Sequence, residues 1–274
     1  MRKHYLRQDL SSIKTLASTS FKSMWTYRFN AYIGIFYDLL GLAVPLLVWQ
    51  ALYLSNGGKP VEGKSLSDII TYVFIARITT MFVSSNLAIY MHERVRSGNI
   101  ALDFMRPQSP LISFMSISIG DAFYSIIFRG LPLMVIAPLI SSMQAPASAL
   151  FFVLFIFSIL LGFILNTILE TLFGMLAFWQ LDVDLIGWFT SIFYILLSGT
   201  MVPLWFFPDW LRVISQWLPF QAAFFLPIQL YMGQIPIGET INVFFVQLGW
   251  IAALMVLQKI VWSRCVRRIV VAGG

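Results

Sequence analysis

The stretch His92–Pro110, HERVRSGNIALDFMRPQSP, separates two long hydrophobic runs and decides what kind of chain this is. It is too short for a domain and too polar for lipid. Arg94, Arg96, Asn99, Asp103 and Arg106 alternate with Ile100, Leu102 and Phe104, while Pro107 and Pro110 close the segment. That pattern is expected of a surface on which something in the cytoplasm docks. A basic loop that only fixes topology is the plainer alternative.

The surrounding composition is that of a membrane protein. Of 274 residues, 59% are hydrophobic and 11% charged, against about 25% charged in a soluble domain. The length allows roughly six helical spans of about 20 residues each, with little left for a soluble domain. One cysteine, Cys265, excludes an internal disulfide and a multi-cysteine metal site. His4 and His92 lie far apart, so no metal centre is expected. The net charge of +6 reads as basic residues held on the cytoplasmic side rather than as a nucleic-acid surface. The first thirty residues are polar and basic, which predicts no cleavable signal peptide.

Residues 1–30 are expected to hold an amphipathic interfacial helix. Leu10, Ile13, Leu16, Ala17, Phe21, Met24 and Trp25 share one side, with Lys14 and Ser20 breaking the pattern. A polar lead-in to the first span is the simpler reading. The spans are expected at 31–54, 67–90, 111–139, 148–178, 185–202 and 239–262. Asp182 and Asp184 mark the turn before the fifth. With six spans both termini share a side. That side carries thirteen Lys and Arg against three on the other, which puts the termini and the segment 91–110 in the cytoplasm.

One motif is rejected. Gly58–Ser65, GKPVEGKS, fits a phosphate-binding loop letter for letter. Such a loop works at a strand-to-helix turn inside a nucleotide-binding sheet, and here it follows a membrane span on the outer side. Leu197–Thr200, LSGT, starts like an ATPase signature but sits in a span.

Two groupings remain. Residues 203–236 carry nine aromatics and five prolines, too many breaks for one straight spanning helix. A pair of short helices dipping into the outer leaflet is expected, with Trp205, Trp210 and Trp217 at headgroup depth. Met201, Pro203, Trp205, Phe206, Phe207, Pro208, Trp217, Pro219 and Phe220 are the candidates for an outer gate, and an interfacial anchor is the alternative. Asp38, Arg77, Asp121, Arg129 and Glu170 are ionisable residues inside spans, where each must pair or face a wet cavity. Asp38, Asp121 and Glu170 fall about 10–15 Å from the cytoplasmic ends, Arg77 deeper and Arg129 nearer the outside. A polar inward-open cavity and helix-to-helix pairing are both consistent with this.

The order of parts resembles the permease subunits of type-2 ATP-binding-cassette exporters, in the subgroup without a large extracellular domain. Two passages carry the likeness: Glu93–Pro110, ERVRSGNIALDFMRPQSP, after the second span, and Leu197–Phe220, LSGTMVPLWFFPDWLRVISQWLPF, after the fifth. The resemblance implies an all-α membrane fold with six spans, a cytoplasmic coupling helix between spans two and three, and a re-entrant hairpin before span six. It implies a second permease subunit and a separate nucleotide-binding ATPase subunit that holds ATP and magnesium, with no cofactor and no ATPase site in this chain. Gly98 would turn the chain into the coupling helix. Arg94, Arg96, Asp103 and Arg106 would pair with the ATPase while Ile100, Leu102 and Phe104 enter its groove. The substrate class implied is a lipid, hydrophobic drug or amphipathic peptide. A secondary transporter or channel without an ATPase, and a membrane enzyme, are the competing readings. Neither a repeat between halves nor a cluster of catalytic residues favours them.

Overall fold

A computed structural model describes residues 13–23, 28–106, 108–140, 142–179 and 183–272. Leu10, Met24, Trp25, Pro107 and Asp182 lie outside the described residues. Those described form helices and turns, with one isolated two-residue bridge between Val61 and Lys64. The helices are α1 (13–23), α2 (Arg28–Ser55), α3 (Leu66–Val83), α4 (Leu87–Arg96), α5 (Ile100–Phe104), α6 (Pro110–Ser125), α7 (Leu131–Ile140) and α8 (Ala149–Met175). They continue with α9 (Val183–Leu197), α10 (Asp209–Gln216), α11 (Pro219–Ala223), α12 (Phe225–Tyr231) and α13 (Thr240–Ala272).

Among the described residues five stretches are long and apolar enough to cross a bilayer: Ile33–Ser55, Leu66–Arg96, Pro110–Ile136, Ala149–Phe178 and Ile237–Arg268. The expected fifth span, 185–202, is a shorter object. Its helix α9 ends at Leu197 after 15 residues, about 22 Å at 1.5 Å per residue against a hydrocarbon core of about 30 Å. It stops where Gly199 takes a left-handed φ of 75°, a conformation that favours glycine. A side chain there would also crowd Leu204, Phe225 and the Tyr72 hydroxyl.

Two expected spans are irregular inside. The second, 67–90, breaks at Ser84-Ser85-Asn86 between α3 and α4. The third, 111–139, holds a wide π turn at Ile126–Gly130 between α6 and α7, and Arg129 sits in it.

The spine of the bundle is α8, on which α13, α4, α12, α3 and α11 all pack. Its Ser148 hydroxyl caps the start by accepting the Phe151 N–H at 3.3 Å. Every fourth residue from Ser158 is small or polar: Ser158, Gly162, Asn166, Glu170, Gly174, all buried. Steps of four advance about 40° around a helix, so this stripe winds slowly and meets a different neighbour at each position. The Ser158 hydroxyl donates to Gln247 Oε1 of α13 at 3.1 Å. Gly162 lies against the Ala223 carbonyl oxygen of α11, which a Cβ would strike. Gly174 faces Met91 and Ala88 of α4, with a Cβ 2.9 Å from the Met91 Cβ. Gln247 in turn donates its amide to the Ser158 and Ala222 carbonyls at 3.0 and 2.9 Å.

The segment 203–236 holds more pieces than the expected pair of helices. A 3-10 turn at Leu204–Phe206 precedes α10, α11 and α12. Leu204, Phe220, Phe224, Ile228 and Leu230 are buried, so α11 and α12 are core rather than surface. Trp210 and Trp217 are exposed. Trp205 instead packs inside, edge-on to Tyr72 at 4.9 Å and against Phe225 at 5.7 Å.

In the rejected phosphate motif, Val61 and Lys64 bond each other at 3.1 and 3.0 Å in a tight turn. The Ser65 hydroxyl accepts the Asp68 N–H at 3.2 Å, and the Asp68 carboxylate accepts the Ser65 N–H at 2.8 Å. This reciprocal cap starts α3, and the Lys64 ammonium lies 5.1 Å over the Trp205 ring.

Candidate functional site

The intramembrane charges divide into two groups with different surroundings. On α2, Gly34, Asp38 and Gly41 share one face, a turn apart. A Cβ at Gly34 would lie 3.3 Å from Arg129 Nε, and one at Gly41 would lie 3.1 Å from Arg77 Nη2. The two glycines thus leave room for guanidinium groups above and below Asp38. Arg129 grips the Asp38 carboxylate with two bonds, Nε to Oδ2 at 2.6 Å and Nη2 to Oδ1 at 2.7 Å. Arg77 donates its Nη2 to Oδ1 and lies 5.6 Å over the Tyr37 ring. Asp38 is 2% exposed, so its carboxylate is sustained by this double pairing rather than by water. Arg129 was expected nearer the outer side than Asp38. Helical side chains lean toward the N-terminus, and that lean carries a long guanidinium back to Asp38.

Asp38, Arg77, Asp121 and Arg129 line one cavity of about 420 Å³, with Ser84, Ser85 and Asn86 of the helix break forming part of its wall. Asp121 accepts the Ser20 hydroxyl of α1 at 2.6 Å. A Cβ on its neighbour Gly120 would lie 2.5 Å from the Ala17 carbonyl oxygen, so α1 rests directly on α6. Ser20, which interrupts the apolar side of α1, is the residue that reaches the buried acid.

Glu170 is not part of that cavity. Its carboxylate accepts the Ala88 N–H at 3.1 Å, at the start of α4. One turn earlier, Asn166 Nδ2 donates to the Val83 carbonyl at 2.8 Å, at the end of α3. The same Asn166 accepts the Tyr194 hydroxyl of α9 at 2.6 Å. Two residues of α8 therefore answer both ends of the break in the second span. Irregular backbone at membrane depth persists only where protein or a wet cavity satisfies it. Sequence reading singled out Glu170 by its charge but missed Asn166, Tyr194, Gln247 and the glycines. The four-residue recurrence along α8 and the Gly-Asp-Gly face of α2 were the signals available.

At the other end of α4, Gly98 takes φ of 74° and turns the chain into α5. Among the residues expected to dock, half point inward. Asp103 is 1% exposed and takes two bonds from Arg94, Nε to Oδ2 and Nη2 to Oδ1, both 2.8 Å. Arg106 Nη1 approaches its Oδ1 at 3.4 Å. Ile100 is buried beside Leu87, Met91, Phe114 and Met175. Phe104 stacks on Trp262 of α13, centroids 5.6 Å apart and planes 7° from parallel. Asp103, Arg94, Ile100 and Phe104 thus fasten α5 to the bundle. The outward face is Arg96, Ala101, Leu102, Met105 and Arg106, all exposed. Leu102 and Met105 are 55% and 81% exposed.

The residues expected to form an outer gate do not converge on one place. Phe220 stacks on Phe193 of α9, centroids 5.8 Å and planes 3° apart, and meets Tyr194 edge-on at 5.5 Å. Phe206 packs on Trp49 of α2 at 4.9 Å. Met201 is exposed and lines a groove between α2 and α3. Pro219 begins α11, where a fixed φ and a missing N–H suit the first helical turn, and Pro208 immediately precedes α10. Pro203 is buried, Phe207 half-buried and Trp217 exposed.

Among the described residues no group of His, Cys, Asp and Glu is spaced to hold a metal. The family model described as ABC-2 family transporter protein matches residues 39–273. No curated protein matches the chain.

Proposed function

The chain belongs to the ABC-2 transporter family, and from that premise we propose that it exports a hydrophobic or amphipathic substrate across the cell membrane. It is the permease subunit of an ABC transporter, working with an ATPase subunit. In the proposed assembly two permeases, identical or different, form the path. The ATP and magnesium sites lie on the ATPases. Both termini and α5 face the cytoplasm, in keeping with the excess of Lys and Arg on that side.

The observation that carries this reading is the construction of α5. A five-residue helix has little stability of its own. This one is held by the pair of half-buried Arg94 with buried Asp103 and by the Phe104–Trp262 stack. It turns Leu102 and Met105 outward beside Arg96 and Arg106. Exposed apolar side chains rimmed by charge, on a support fixed to four helices, suit transmission of force from a partner. Force on α5 passes to α4, and from α4 to the break at Ser84–Asn86 beside the polar cavity. The short α9 and the pieces from 203 to 236 complete the proposed outer half, with Trp210 and Trp217 at the headgroups and α11–α12 as a re-entrant hairpin.

The test is co-expression with the ATPase subunit. Leu102→Ser with Met105→Ser is expected to leave the permease folded and to remove most of the co-purifying ATPase. An undiminished complex with normal ATP hydrolysis would reject docking on this face.

A further inference from the structure

The cavity around Asp38 is rich in donors. A guanidinium offers five N–H groups. Arg77 commits one and Arg129 two to a single carboxylate. Arg77 Nε is buried with no partner among the described residues, as is the hydroxyl of Ser85, a residue of the same wall. A buried donor left without an acceptor is costly. Both cations share the one Asp38 carboxylate, an arrangement at membrane depth that suits a further counter-charge beside them. Asp121 lines the same cavity, but it lies eight residues before Arg129 and its carboxylate takes the Ser20 hydroxyl.

A second, apolar groove of about 480 Å³ adjoins this cavity. The two share Tyr37, Arg77 and Thr80. The groove runs along Leu40, Val44 and Pro45 of α2 and Val73 of α3 to Met201. Tyr37, Leu40 and Val44 are exposed on the outward face of α2, so the groove opens sideways.

Building on the permease reading above, we propose that cavity and groove form one binding site for an anionic amphiphile. Its phosphate-like head sits between Arg77 and Arg129, and its alkyl tail lies in the α2–α3 groove toward Met201. The donors supply charge-assisted hydrogen bonds to the head, and the sideways opening lets the tail enter from the bilayer. Both a transported substrate and a resident membrane phospholipid have this chemistry.

The experiment uses the full chain in phosphatidylcholine nanodiscs, without the ATPase. Failure of docking on α5 therefore leaves it untouched, and failure here leaves the docking reading standing. Dodecyl phosphate, dodecanol and inorganic phosphate are titrated by calorimetry. Dodecyl phosphate is expected to bind saturably, with dodecanol and inorganic phosphate each weaker by about tenfold or more. Arg77→Gln is expected to weaken dodecyl phosphate by about tenfold, its loss of charge-assisted bonds being comparable to that discrimination. Val44→Trp fills the groove from an exposed position and is expected to weaken the same ligand without disturbing the fold. Equal binding of dodecanol, or dodecyl phosphate binding that neither variant changes, overturns the proposal. Discs of phosphatidylglycerol assign the source. Competition with dodecyl phosphate identifies a bilayer lipid as occupant, and undiminished binding identifies a transported amphiphile; both keep the site.

Discussion

The stripe on α8 and the stripe on α2 are built alike and do different work. Each sets a polar residue among glycines on one face of a spanning helix. On α8 the polar groups answer backbone: Asn166 the Val83 carbonyl, Glu170 the Ala88 N–H. On α2 the polar group answers side chains, the guanidiniums of Arg77 and Arg129, which line a cavity, and Arg77 Nε has no partner among the described residues. The first arrangement is saturated and holds broken helices together. The second is unsaturated and suited to a guest. Surroundings differ in the same sense: 39% of the most apolar stretch of α8 is buried inside the chain, against 11% of that of α2. One helix face is finished within the monomer. The other is left for lipid, a guest or a second subunit.

Substitutions on the two stripes sharpen or break this contrast. Gly162→Val carries the largest expected effect. Its side chain would meet the Ala223 backbone oxygen, and neither α8 nor α11 has room to yield. Monodisperse protein on size exclusion is expected to fall to background. A normal yield would mean that the α8–α11 contact is looser than its geometry.

Removing both arginines, Arg77→Gln with Arg129→Gln, leaves the Asp38 carboxylate buried without a cation, at an expected cost of about 3–5 kcal/mol. Arg77→Gln alone keeps the two bonds from Arg129 and is expected to stay near the parent melting temperature. If the single and double variants melt together, Asp38 is not held by both partners.

Asn166→Leu orphans the Val83 carbonyl and removes one acceptor of the Tyr194 hydroxyl, for a loss of about 1–3 kcal/mol. It is expected to lower the melting temperature and leave dodecyl phosphate binding intact, the reverse of Arg77→Gln. Two variants that behave alike would erase the distinction between the stripes. Asp121→Asn is the smallest case. The amide oxygen still accepts from Ser20, and stability is expected to change by less than about 1 kcal/mol.

Much of this architecture was legible in the sequence because lipid imposes strict rules. Long apolar runs gave the five longest spans, and the charge island gave the segment that holds α5. The breaks were harder to read. Ser84-Ser85-Asn86 sits in an apolar context with neither Gly nor Pro to mark it, and the break survives through Asn166 and Glu170, more than eighty residues away. Long-range satisfaction of that kind leaves no local pattern. The Arg129–Asp38 pair was hidden for a related reason: counting residues along a helix ignores the reach and lean of an arginine. On the island, alternation marked the right stretch but not its inward side, because a helical period, not a two-residue one, sorts Ile100, Asp103 and Phe104 from Leu102 and Met105. Met105, the most exposed large hydrophobic side chain there, gave no signal beyond its place in the segment.

The central claim is that force from the ATPase enters through the outward face of α5. Single cysteines test it in a Cys265→Ser background, which removes the chain's one native thiol. In the assembled transporter, Met105→Cys and Leu102→Cys are expected to crosslink to the ATPase, more strongly as nucleotide closes it, while Ile100→Cys stays silent. Crosslinking from Ile100→Cys, or none from either outward position, would contradict the account.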